Sequence, residues 1–207
     1  MEGFCRLTRF AAVFTVLSGI ACAQPVPRIT APAPGRIVHA GEPIDVTVEV
    51  SGSPVRAIVA NVVGSANGPD GLEAPPYRFS FTLPSTRELG PTSVLAFGIT
   101  AAGEYFADPV VVDLERPDAP TRVDINFSRL EMEVGDTIPY LVQATFSDGT
   151  SINVAESTET TFTPADGNVV LVQNRSVTAL AVGSTTVTIR YKDQEARSKV
   201  SVSARRN

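Results

Sequence analysis

After Gln24 the chain alternates apolar and polar residues almost everywhere, and no segment sustains the period of a helix. In "PIDVTVEV" the apolar residues are Ile44, Val46, Val48 and Val50, with Asp45, Thr47 and Glu49 between them. In "YRFSFTL" Phe79, Phe81 and Leu83 alternate with Arg78, Ser80 and Thr82. Successive side chains of an extended chain point to opposite sides, so each such segment presents one apolar face to a core. "PVVVDLE" places Val110, Val112 and Leu114 on one face, while "SVLAFGIT" is apolar on both and reads as a central strand. Turns rich in Gly, Asp and Asn separate these runs at roughly the 8–12-residue spacing of an all-β sandwich.

The N-terminus is of another kind. Arg6 and Arg9 precede the uncharged run "FAAVFTVLSGI", Phe10 to Ile20, and "ACA" then offers an A-x-A cleavage site. The run is shorter than the ~20 apolar residues of a membrane span. Residues 1–23 therefore read as a signal peptide, with Gln24 first in the mature chain, which predicts export to the periplasm, the cell surface or the exterior. The alternative is lipoprotein processing at Cys22, although Gly19 stands where Leu is usual; the protein meets a membrane only if Cys22 carries a lipid. Both cysteines, Cys5 and Cys22, lie in this segment, so neither disulfides nor a cysteine nucleophile is expected downstream. A formal charge of −5, spread along the chain, gives no basic footprint for nucleic acid.

Two prolines and three charges crowd "ERPDAPT", Glu115 to Thr121. Proline donates no backbone hydrogen bond and biases its predecessor to extended forms, so this reads as a short, stiff linker. It divides a first sandwich, residues 24–115, from a linker at 116–121 and a second sandwich at 122–207. In the second half Val123, Ile125 and Phe127 alternate, and Leu130, Met132 and Val134 resume in the opposite parity after a kink near Ser128. "TIPYLVQATF" reads as one long strand burying Ile138, Tyr140, Val142, Ala144 and Phe146, with Pro139 marking an edge or a bulge. Domains this small bury only ~60–65% of the surface of their unfolded chains. The apolar alternation is thus expected to be consumed by two cores, leaving little for an apolar pocket.

"LEMEVGDTIPYLVQATFSDGTSINV", "TTFTPADGNVVLV" and "SVTALAVGSTTVTIRY" carry a resemblance. From Thr121 to about Ala204 the chain resembles the second group of bacterial immunoglobulin-like domains, found in intimin and invasin. Phe162 stands where that family usually has Trp, and "QNRS" where a Gly-containing turn is common. Over Pro27 to Glu115, "RITAPAPGRIVHAGEPIDVTVEV", "APPYRFSFTLP" and "AFGITAAGEYFADPVVVDL" are more loosely similar to another bacterial immunoglobulin-like module. The resemblance implies two tandem immunoglobulin-like β-sandwiches, and spacers, adhesins or display arms without catalytic apparatus.

Residue types for chemistry are sparse. His39 is the single histidine, and it precedes a Gly-Glu-Pro turn. Asp70, Glu104, Asp108, Asp148 and Asp166 each sit beside Gly or Pro in a turn, where an Asp side chain caps the backbone. No catalytic residue is assigned. No cofactor is expected either; calcium is the alternative, through Asn67 and Asp70, through Asp166 and Asn168, or at the domain junction with Asp118 or Asp124, though none has the ligand density of a dedicated loop. "FSDGT" around Asp148 reads as a strand-ending turn, with Gly149 free to take a positive φ. The chain has no Trp, so a sugar platform would fall to tyrosine. Tyr140 and Tyr191 share the apolar parity of their strands and belong to the core. Tyr77 and Tyr105 lie at strand ends and are the candidate glycan contacts. The expectation is a non-catalytic structural or adhesive protein with an unidentified protein or glycan ligand, the alternative being a carbohydrate-binding accessory protein.

Overall fold

The computed structural model describes residues 24–205, and among these there is no helix. The expected signal peptide and Cys22 lie outside the described residues. The first half holds β1 (Val26–Ala31), β2 (Ile37–His39), β3 (Pro43–Ser51), β4 (Ala57–Val62), β5 (Asp70–Leu72), β6 (Tyr77–Thr82), β7 (Gly90–Thr100), β8 (Gly103–Phe106) and β9 (Val110–Glu115). One sheet runs β1-β3-β6; the other runs β2-β9-β7-β4-β5, with β8 also paired to β7. Ile44, Val46, Val48, Phe79, Phe81 and Leu83 are buried from the first sheet, and Ile58, Val62, Val94, Val112 and Leu114 from the second. These are the apolar parities of the sequence, and they meet as the core of a sandwich.

The second half holds β10 (Arg122–Ile125), β11 (Arg129–Glu133), β12 (Thr137–Pro139), β13 (Val142–Thr145), β14 (Ser151–Asn153), β15 (Thr160–Pro164), β16 (Val170–Gln173), β17 (Ser176–Ala179), β18 (Gly183–Tyr191) and β19 (Gln194–Ser203). Its sheets are β11-β19-β18-β15, β12-β17-β16 and β10-β13-β14. Among the described residues no strand of β1–β9 pairs with one of β10–β19. The fold is two immunoglobulin-like β-sandwiches in tandem. In each an early strand lies parallel to the last one, Ile37 opposite Asp113 and Arg129 opposite Lys199. A parallel pair cannot be closed by a hairpin. Here the crossover is the rest of the sandwich, so the ends of each half are pinned to one another.

"TIPYLVQATF" departs from the single strand expected. It breaks after Pro139 into β12, which pairs with β17, and β13, which pairs with β10 and β14. Pro139 has no N–H to continue the ladder, and β12 is an edge strand. The freed backbone groups find other partners. Tyr140 N–H donates to the Arg175 carbonyl at 2.8 Å, Leu141 N–H to Asn126 Oδ1 at 3.0 Å, and Asn126 Nδ2 to the Pro139 carbonyl at 3.2 Å. Burial parity survives the break: Tyr140, Val142, Ala144 and Phe146 all stay inside. Phe162, in the position expected for Trp, stacks on Tyr140 at 5.9 Å between ring centroids.

Candidate functional site

The densest array of polar side chains in the molecule lies where the halves meet. β9 ends at Glu115, whose side chain is carried into the second half by the extended "ERPDAPT" run. Glu115 is only 2% exposed. Ser157 Oγ lies 2.8 Å from its Oε1 and 2.7 Å from its Oε2, and Thr158 donates to Oε1 from its backbone N–H at 2.9 Å and its hydroxyl at 3.1 Å. A buried carboxylate without such donors would carry a large desolvation penalty. Its own backbone carbonyl stays in the first half, accepting from Ala40 N–H at 3.0 Å. One residue is thus held by both sandwiches.

Arg116, 9% exposed, makes the second set of ties. Its Nε and Nη2 fork onto the two Asp118 oxygens, each at 2.9 Å, which fixes the linker's own turn. Nη1 donates to Thr150 Oγ1 at 2.6 Å and Nη2 to Asp148 Oδ2 at 3.0 Å, both on the turn between β13 and β14. The guanidinium lies over the Phe146 ring, 4.1 Å from its centroid, adding a cation–π contact. Burial works against the charge on Arg116, but hydrogen bonds from Asp118 and Asp148 outweigh it and raise its pKa.

Asp148 is the turn residue that the sequence suggested, and more. Phe146 N–H donates to the Thr150 carbonyl at 2.9 Å, and Gly149 takes φ +81°, so the reversal is a true turn. Asp148 Oδ1 caps it, accepting from the Thr150 N–H at 2.9 Å and hydroxyl at 2.6 Å. Those bonds, joined by the one from Arg116, hold the Asp148 carboxyl down at about 2. Lys192, at the end of the β18–β19 hairpin, donates to the Arg116 and Asp118 carbonyls and lies 3.4 Å from Glu159. Behind them the Tyr191 phenol has its pKa raised, first by burial and then by the charges of Glu115, Glu159 and Asp118.

Contacts away from the linker continue the junction. Leu89 N–H donates to the Asn153 carbonyl at 3.1 Å. A Cβ on Gly90 would stand 2.6 Å from Glu156 Cβ and 2.7 Å from its carbonyl oxygen, so glycine alone fits there at its φ of +121°. Glu156 is paired with Arg175 at 2.6 Å. Asn174 and Arg175 both have positive φ, 46° and 56°, and build the two-residue β16–β17 turn without glycine. Arg175 holds a conformation that costs a side-chain-bearing residue about 1 kcal/mol or more, and its ion pair and its carbonyl's bond to Tyr140 offset this.

The other residues singled out by the sequence lie elsewhere. Tyr77, at the start of β6, is half-buried and lines a cleft of about 790 Å³ with Val55, Pro75, Pro76, Glu49 and Arg78. Tyr105 sits in β8 opposite Gly98, in the other sheet, so the two tyrosines do not form one platform. Tyr140 and Tyr191 are buried, and their hydroxyls have no hydrogen-bond partner. His39 ends β2 with Nδ1 buried and unbonded. Of the acids weighed for calcium, Asp118 is paired with Arg116, Asp124 with Arg122 at 2.6 Å, and Asp166 accepts from the Asn168 N–H at 2.8 Å, while Asp70 is exposed at the start of β5. Among the described residues no group of three or more His, Cys, Asp or Glu is placed to hold a metal. The sequence did not single out Glu115 or Arg116 as anything but linker charges; two adjacent charges closing a strand of strict alternation were the available signal.

No protein-family model matches the chain, and no curated protein matches it. Among solved structures it is similar to the fibronectin(III)-like modules of Clostridium thermocellum CbhA, at 15% identity over 86% of this chain and 95% of that one, with a TM-score of 0.38. Domains 4 and 5 of the S-layer protein SbsC align at 17% identity over 60% of this chain and 69% of theirs, with a TM-score of 0.36. The tandem Ig repeats of Dlar align at 13% identity over 88% of this chain and all 100% of theirs, with a TM-score of 0.29. The two-sandwich architecture stands on the strand pairing of this chain itself.

Proposed function

We propose that this is an exported, non-catalytic protein of tandem immunoglobulin-like domains that acts through its surfaces, as a structural or adhesive element at the cell envelope or outside the cell. The observation that carries this reading is the use made of the polar residues at the junction. Glu115, Arg116, Asp118 and Asp148 cluster at the junction, and their bonds are directed to one another and to Ser157, Thr150 and Thr158. Such an arrangement supports a fixed relation between two modules and commits these groups to it. In a spacer or display arm, fixed geometry between modules is the useful property. The test is a substrate-turnover screen on the purified protein; an activity abolished by Asp148→Asn or by His39→Ala would overturn the reading. Mass spectrometry of the mature N-terminus decides between a free chain beginning at Gln24 and a lipid on Cys22.

A carbohydrate-binding role is the second reading, favoured by the cleft beside Tyr77. Glu49 and Arg78 line the same cleft and are groups that hydrogen-bond sugar hydroxyls. A glycan array reports on it directly: binding lost on Tyr77→Ala but kept in Tyr105→Ala would assign the cleft, and no binding by the parent chain would exclude it.

A further inference from the structure

The two sheets of the first half differ in their outward faces. The outward positions of β3 are Asp45, Thr47 and Glu49, and those of β6 include Arg78 and Ser80, as a water-facing antiparallel sheet requires. On β7 the inward residues Val94 and Ala96 are buried, but the outward set is Leu95, Phe97 and Ile99. Phe97 is flanked in register by Val59 of β4 and Phe106 of β8. Phe106 is 70% exposed, with its ring 5.3 Å from that of Phe97. Further toward the junction, Val111 and Val63 stand exposed on either side of Ser93. A contiguous exposed apolar face of this kind marks an interaction surface.

We propose that this face joins two copies of the chain, stacked sheet on sheet about a twofold axis running along β7. Its central strands are paired on both sides, so it offers no open edge for an extended peptide there; a second sheet face is what fits it. An axis along β7 keeps the strand directions of the two sheets aligned, the common mode of sheet packing. It brings the β8–β9 side of one copy over the β4 side of the other. Phe106 then meets Val59, Val111 meets Val63, and Leu95, Phe97 and Ile99 meet their own counterparts.

The charges choose the same axis. Glu104 is opposite Ile99 on one side of β7, while Arg56 donates its N–H to the Ile99 carbonyl on the other side, at 2.7 Å. Ala57 is in register with Ile99, so the twofold lays Glu104 of each copy over Ala57 of the other, with the adjacent Arg56 beside it, twice. An axis across the strands would instead lay Glu104 toward Asp113, which pairs with Pro91 on the same side of β7, and set acid against acid. From Pro91 to Ile99 the face is roughly 27 Å long, and its five strands span roughly 20 Å. That gives on the order of 1,000 Å² buried in total, at the lower limit for a specific interface, so the dimer is weak and reversible.

Sedimentation velocity on the purified protein from about 1 to about 200 μM reads this directly. The expected result is a monomer–dimer equilibrium across that range. Leu95→Asp and Phe106→Asp should each leave only monomer, with unchanged melting, because both side chains already face solvent. Arg56→Glu and Glu104→Arg should each raise Kd by about tenfold or more, and the two combined should restore it. A protein that stays monomeric at the highest concentration overturns the proposal, whatever else binds the face. So does a dimer indifferent to Leu95→Asp, or a charge swap that restores nothing.

Discussion

At the scale of single residues, the same ion-pair chemistry has different worth in different places. Arg122 and Asp124 lie 2.6 Å apart but are largely in water, so Arg122→Ala should change stability by under about 0.5 kcal/mol. Arg116 is buried and touches three oxygen-bearing partners and a ring. Arg116→Ala should cost about 2–3 kcal/mol in a denaturant melt, since it removes packing and leaves Asp148 and Asp118 without their counter-charge. Glu115→Ala should cost a similar amount, about 2–3 kcal/mol, because Ser157 and the Thr158 N–H lose their buried acceptor. Asp148 supplies the pH dependence. Its folded pKa of about 2 lies below the ordinary 3.8, so the folded state favours the ionised form. Its contribution is complete above the unfolded value and is lost as pH falls from there through about 2. Asp148→Asn should flatten that part of the acid limb in melts recorded between about pH 5 and pH 2. The turn role of Asp148 could be read from "FSDGT"; its bond to Arg116 could not, because the two are separated in sequence and meet only when both halves are folded.

Elements show where local pattern stops deciding. The alternation of β3, β6 and β9 predicted most of their buried residues, because period two allows only two faces and one of them is apolar; Val50 is half-buried and Glu115 is buried against the pattern. β7 was apolar on both faces and was expected to be central. It is central in its sheet, yet its outer face is bare, since being flanked by strands says nothing about being covered by a layer. Most of the apolar alternation does go to the two cores, and this face is what they leave over. β7 also begins at Gly90, pressed against the Glu156 backbone. Gly90→Ala should destabilise by about 1–3 kcal/mol through overpacking and the positive φ, measured by thermal or urea unfolding. Pro139 gives the complementary lesson. Its missing N–H announced an irregularity, but only the tertiary partners, Asn126 and Arg175, show that the strand changes sheets there.

For the whole molecule, the junction should make the two sandwiches unfold together. Calorimetry is expected to show one transition with matching calorimetric and van't Hoff enthalpies in the parent chain. Arg116→Ala combined with Glu115→Ala should split it into two, because among the described residues no strand of one half pairs with a strand of the other. Calcium should leave the melt unchanged and EDTA should not reverse anything, given that Asp118 and Asp124 already face arginine. A calcium-dependent rise in Tm would show instead that the acids exchange partners.

The sequence by itself determined that the described chain is all-β and which faces of most of its strands are apolar. Each of those follows from a local rule: side-chain alternation, the missing N–H of proline, the freedom of glycine. Tertiary structure alone decided that Glu115 and Arg116 are buried, that Asp148 answers to a residue in the linker, and that the outer face of β7 has no cover. These depend on which surfaces meet, and contact between distant segments leaves no period in the sequence to read.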